Sequence, residues 1–375
     1  MLIYKQIFIF TAIVCSLVSC TKKNDNSAVS PYANAPSTYN FTDANYKQQT
    51  VVLSLIDSLL DDLQIVGEPG ATAFTASQLS SIYDNTGDLY SAIYPDVSLS
   101  GLVSSNGVFF SDTRNRNFFD TIAIRSANST YLGTPSANTL DSGLYLPEYF
   151  EKCFMGSLIY NQANQLFAQL ANADNTTINS AYGTTQMIHM WDQLFGYMGM
   201  PVDYPTWNYG QFEAGTNLAS GNPTITQTDF LFGEYIGHST FEYTVFTSKP
   251  TNYIQNIFNA FIVGRMAIKN NDYKTRDAQL VIIQGIWEDI IASQAISYAT
   301  NCIANIQTPP ADPNILKGRW SEMTGFVHMF QYNPNNKLGA TNINLLYSYV
   351  GAEPSEATVS GLNNLITLLK TTYGF

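Results

Sequence analysis

Apolar positions recur at intervals of three and four residues through most of the chain and almost nowhere at intervals of two. Val52, Leu55, Ile56, Leu59, Leu60 and Leu63 mark an amphipathic helix over 43–66. From 67 to 144 the chain turns to Ser, Gly, Asn and Asp, with short apolar pieces at 76–83 and 118–125. Loops and short helices are predicted there, with a β-hairpin as one option over 99–110. Phe150, Phe154, Leu158, Ile159, Leu166, Phe167 and Leu170 then set a helix over 147–171, with Pro147 suited to its first turn. Further helices are predicted over 184–199, 229–238, 252–269, 276–306, 312–332 and 355–372. Asn270-Asn271-Asp272 breaks two of them apart, and Asp312-Pro313 supplies a cap and first turn for another. Strand patterns are scarce, so an all-α fold with few or no strands is expected, built as two helical-bundle halves over about 41–210 and 211–375.

One apolar run carries no helical period. It extends from Ile7 to Val18, with Lys5 ahead of it and Leu17-Val18-Ser19-Cys20 at its end. A charged zone, an apolar zone and a small residue, in that order, make a secretory signal, and a cysteine directly after them accepts lipid in a bacterial lipobox. The run is too short for a permanent transmembrane helix. Residues 1–19 are therefore expected to be a signal peptide, Cys20 the lipidation site, and 20–40, rich in Lys, Asn, Ser, Ala and Pro, a flexible tether. The expected address is the cell envelope, lipid-anchored at the outer membrane, on its periplasmic or surface face.

Composition narrows the classes further. Charged residues are 12% of the chain against 45% hydrophobic, so it folds rather than staying disordered. With 17 basic against 29 acidic side chains, the clustered cations that nucleic acid requires are missing, and nucleic acid is excluded as a partner. Of the four cysteines, Cys15 leaves with the signal and Cys20 takes the lipid. Cys153 and Cys302 remain in apolar helical contexts, expected as buried thiols, with pairing outside the cytoplasm as the alternative.

Candidate chemistry is sparse. Histidine occurs at 189, 238 and 328 only. His189 and Asp192, three apart on a predicted helix, share a face, a spacing that metal ligands use on helices. Such a site needs a further ligand, which Glu322 or His328 could supply. The competing reading is a buried polar cluster in which Asp192 or Glu322 pairs with Arg265 and satisfies hydrogen bonds between helices. Glu288 and Glu234 are further candidates. No zinc-protease His-Glu-x-x-His, no Gly-x-Ser-x-Gly elbow and no phosphate-binding Gly-Lys-Ser/Thr loop occurs. Tyr204, Trp207 and Tyr209 form an aromatic loop that could stack on sugar rings or simply pack. One internal echo stands out: Trp191-Asp192-Gln193-Leu194-Phe195-Gly196-Tyr197 against Trp320-Ser321-Glu322-Met323-Thr324-Gly325-Phe326.

The stretch from Met190 to Pro201 resembles the His, Trp-Asp-Glu-Ala-Phe-Gly-Tyr-Phe-Gly core of an uncharacterised bacterial lipoprotein family, a domain of unknown function similar to imelysin. Glu151-Lys152-Cys153-Phe154-Met155-Gly156, Phe232-Gly233-Glu234-Tyr235, Gly264-Arg265-Met266-Ala267-Ile268 and the Trp320 stretch agree in order. The resemblance covers roughly 40–375 and implies an all-helical fold of two bundle-like halves and an envelope location. Imelysin-type proteins carry a Gly-x-His-x-x-Glu motif and are associated with iron uptake. His189-Met190-Trp191-Asp192 is the nearest counterpart here, with Asp in place of Glu, and Gln193 stands where the closer family has Glu.

The leading expectation is a non-enzymatic, membrane-anchored binding protein linked to iron or metal uptake. Its ligand or metal ion would sit near His189, Asp192, Arg265 and Glu322. The alternatives are a glycan-binding lipoprotein partnered with an outer-membrane transporter, and a divergent metallopeptidase.

Overall fold

A computed structural model describes residues 32–87, 90–103, 109–214, 231–242, 252–309 and 311–375. The signal run, Cys20 and the first part of the predicted tether lie outside these residues. By internal contacts the chain divides into residues 1–34, of which only the turn at 32–34 is described, and one compact unit over 35–375.

The unit over 35–375 is all-α. Its helices, in order, are α1 (Lys47–Ile65), α2 (Ala76–Tyr83), α3 (Leu99–Leu102), α4 (Asp112–Ser126), α5 (Leu146–Phe154), α6 (Asn161–Leu170) and α7 (Gln186–Met198). They continue with α8 (Tyr209–Ala214), α9 (Phe232–Phe241), α10 (Tyr253–Lys269), α11 (Tyr273–Gln307), α12 (Pro313–Met329), α13 (Gly339–Val350) and α14 (Val359–Tyr373). Among the described residues extended pairing is limited to two isolated bridges, Thr139 with Tyr145 and Ile178 with Thr185. Where a hairpin is one option over 99–110, residues 99–102 are instead the helix α3, capped by Ser98, and 104–108 lie outside the described residues.

Local chemistry sets most boundaries. Thr75 and Gln78 close a capping box on α2, Ser111 caps α4, Thr185 caps α7, and Asp312 with Pro313 opens α12. Gly199 and Gly374 end α7 and α14 in the left-handed conformation that favours glycine. Helices α4, α8 and α13 exceed the sequence expectation. α4 starts well before its apolar piece because Ser111 caps a polar first turn, and α13 was not predicted because its Thr, Asn and Tyr residues weaken propensity. What holds α13 is the stripe Ile343, Leu346 and Val350, buried by tertiary packing.

The central element is α11, 35 residues and about 52 Å long at the usual helical rise. Nearly every side chain from Ile286 to Ala299 is buried, so it is enclosed by neighbours on all sides, α9, α10, α12 and α14 among them. It is long and apolar enough to cross a membrane, but 72% of its apolar window is buried inside the protein, which marks a core helix. α5 and α6 run on as one rod through a π-helical turn, Met155–Tyr160, buried where the rod meets α12 and the 3-10 turn Phe330–Tyr332.

The ordered body also begins earlier than the hydrophobic pattern alone places it. Tyr39, in the stretch read as tether, is 1% exposed, with its ring 3.8 Å from that of Phe195 and its N–H bonded to the carbonyl of Val202.

Candidate functional site

Of the four residues expected to form one cluster, two meet directly. Arg265 on α10 makes a two-pronged ion pair with Asp192 on α7, Nε to Oδ1 at 2.7 Å and Nη2 to Oδ2 at 3.0 Å, both side chains fully buried. Asp192 also accepts from the Tyr39 hydroxyl at 2.7 Å and the Asn45 N–H at 3.2 Å. Arg265 reaches Asp43 at 3.1 Å and lies over the Phe41 ring. The pair is thus saturated by the segment 39–45, which it bolts onto α7 and α10. This arrangement is the buried polar cluster rather than an open ligand set.

His189 stands beside this cluster, stacked on Tyr182 with ring centroids 4.0 Å apart and its Nδ1 without a partner. Burial lowers its pKa against the pull of the Asp192 charge. Glu322 has other partners: it pairs with Arg319 at 3.0 Å and faces Lys152 at 3.6 Å. His328 does not join the Asp192 cluster either. It is sandwiched on Phe109, bonded to the Tyr149 hydroxyl at 3.1 Å, and pushed down to about 3 by burial and the Arg114 charge. Among the described residues no three His, Cys, Asp or Glu side chains are disposed to hold a metal ion. Glu288 bonds Asn333 and the Lys337 N–H, and Glu234 faces His238 across one helical turn. In the aromatic loop Tyr204 is core, bonded to the Gly233 carbonyl, Trp207 is half-buried on Asp203, and Tyr209 is exposed. Cys153 and Cys302 are both buried free thiols.

A second charged cluster was missed. Lys152 on α5 is 1% exposed, and its Nζ lies 2.9 Å from Glu148, 2.6 Å from Glu151 and 3.6 Å from Glu322. Burial disfavours the ammonium, but the three carboxylates outweigh it and raise its pKa. One ammonium cannot compensate three carboxylates equally. Glu148 is held below its usual value because Lys152 overrides burial, while burial pushes Glu151 up to about 8 and Glu322 up to about 7. The available signal was a lysine and two glutamates inside an apolar helical stripe of a chain that is only 12% charged.

This cluster backs onto the surface. Tyr145, at the start of α5, is tied to α12 by its N–H, which donates to Ser321 Oγ at 2.9 Å. Its phenol is pushed up to about 12 by burial and then by the charges of Glu148, Glu68 and Glu322, so it stays a donor at neutral pH. In front of it lies an open cleft of about 210 Å3, walled by Glu68, Asn138, Thr139, Tyr145, Asn314 and Lys317. A second cleft of about 290 Å3 continues from it, sharing Pro135, Thr139, Asn314 and Lys317 and adding Arg125 and Asp141, so the two are one groove. Asn138 is 1% exposed; its amide donates to the carbonyls of Leu63 and Gln64, and its Oδ1, sealed from solvent, has no partner among the described residues. The floor is built by the turn from Thr139 to Tyr145, closed by Leu140 N–H to Leu144 O at 2.9 Å and by Gly143 at a φ of +87°.

The family model for a domain of unknown function (DUF4856) matches residues 125–348, which takes in α5 to α12 and every wall of this groove except the Gly67-Glu68 end. No curated protein matches, and no solved structure matches. The chain belongs to the DUF4856 family.

Proposed function

We propose that this member of the DUF4856 family is a lipid-anchored binding protein of the cell envelope, without catalysis of its own, that takes a small polar ligand in the groove between the Pro135–Tyr145 turn and α12. The lipobox ending in Cys20 supports the address. The observation that carries the binding site is the groove itself, an open cleft on which the polar side chains of Thr139, Tyr145, Asn314 and Lys317 converge. Lys317, with no ion pair among the described residues, and the Tyr145 phenol stand on the same walls. The bond from the Tyr145 N–H to Ser321 Oγ ties that wall to α12, which helps preorganise the site.

Two measurements test this. Cys20→Ala should abolish labelling by a fatty-acid precursor and release the chain from the membrane fraction; retained lipid label refutes the anchor. Fragment screening by ligand-observed NMR on the detergent-solubilised full chain should give hits that Tyr145→Leu removes. Hits indifferent to Tyr145→Leu refute the groove.

A further inference from the structure

From the chemistry of the groove, and resting on the reading of it as the binding site, we propose that its ligand is a sugar acid: a hydroxyl-rich ring bearing a carboxylate. The two halves of the groove differ. The inner half offers an amide, a hydroxyl and a phenol (Asn314, Thr139, Tyr145), a set of donors and acceptors that matches the hydroxyls of a sugar, with the Tyr145 ring and Pro135 as apolar faces for its C–H side.

The outer half is cationic. Arg125 is only 13% exposed; its Nε donates to the Ser136 carbonyl at 2.8 Å, and its guanidinium lies over the Tyr131 ring at 4.7 Å. It is therefore held in one pose. Its ion-pair partner Asp141 is 91% exposed, so that pair is screened by water and weak. Lys317 belongs to both halves and has no carboxylate partner among the described residues. A carboxylate seated beside Lys317 and Arg125 completes their charge, while its ring falls toward Tyr145 and offers hydroxyls to Asn314 and Thr139. Glu68 stands at the far end, where it would accept from a ring hydroxyl and repel a second anion, so one carboxylate is admitted at one end only.

The test uses the full-length protein in detergent, with glucuronate and galacturonate set against glucose and galactose, followed by saturation-transfer NMR and calorimetry. Hexuronates should bind more tightly than the neutral hexoses. Lys317→Ala should weaken them about tenfold, the worth of one charge-assisted hydrogen bond, and erase the preference. Asn314→Ala should weaken acids and neutral sugars alike, and binding should fall with added salt. Equal binding of acids and neutral sugars, unchanged by Lys317→Ala but lost with Tyr145→Leu, overturns the sugar-acid assignment and leaves the groove as the site. Hexuronate binding that survives both substitutions overturns the assignment and the groove together. Failure of every sugar to bind a protein of native helicity also overturns the assignment, and the fragment screen then decides the groove separately.

Discussion

Trp191 and Trp320 make the same bond in two places: each donates its indole N–H to a backbone carbonyl of another helix, Trp191 to Phe261 in α10 at 2.9 Å and Trp320 to Val350 at the end of α13 at 3.0 Å. The likeness extends five residues on. Gly196 is pressed by Tyr46 and Gln49 at the start of α1, and Gly325 by Lys152 on α5. In each copy a tryptophan fixes one neighbouring helix and a glycine admits another. The sequence echo therefore encodes one packing device used twice.

Gly325→Ala should destabilise the protein by about 1–3 kcal/mol, since the new methyl meets Lys152 Cβ on a buried, crowded helix crossing. Gly285→Ala on α11, where a Cβ meets nothing within 4 Å, should instead be neutral or stabilising by about 0.5–1 kcal/mol through helix propensity. Urea midpoints of the two variants would show the contrast, and equal effects would refute the crossing geometry.

Asp192→Asn or Arg265→Ala should cost about 3–5 kcal/mol, because each leaves the other buried charge uncompensated. Arg265→Lys should not rescue, as an ammonium cannot reproduce the two parallel bonds to Asp192 together with the contact to Asp43. Limited proteolysis would detect release of the 35–46 segment before global unfolding.

Stability should decline on both sides of mild acidity, for opposite reasons. Glu151, raised from 4.5 to about 8, keeps a proton when folded that the unfolded chain loses, so stability falls as pH rises through that window. His328, lowered from 6.5 to about 3, refuses a proton that the unfolded chain accepts, so stability falls as pH drops from 6.5 toward 3. Each group contributes a slope of up to about 1.4 kcal/mol per pH unit. Glu151→Gln should flatten the alkaline limb, and His328→Phe the acid limb, in denaturation midpoints collected from pH 3 to 8. An unaltered alkaline slope in Glu151→Gln would mean that Lys152 neutralises all three glutamates.

The three- and four-residue recurrence of Leu and Ile, together with Thr185, Asp312, Gly199 and Pro313, determined the all-α class and most helix limits, because capping and amphipathicity act within a few residues of the chain. The pairing of Asp192 with Arg265 was also within reach, as one of two readings, since a rare carboxylate and a rare guanidinium on apolar helices must find compensation. Only the tertiary structure decided which charges meet. It sent Glu322 to Lys152 rather than to His189, buried His328 among aromatic rings, and brought Asn138, Tyr145 and Lys317 to one groove. These choices depend on the crossing of α5 with α12 and on the turn at Gly143, and the residues concerned stand far apart in sequence. Periodicity says which face of a helix is buried; it carries no information about which other helix covers that face.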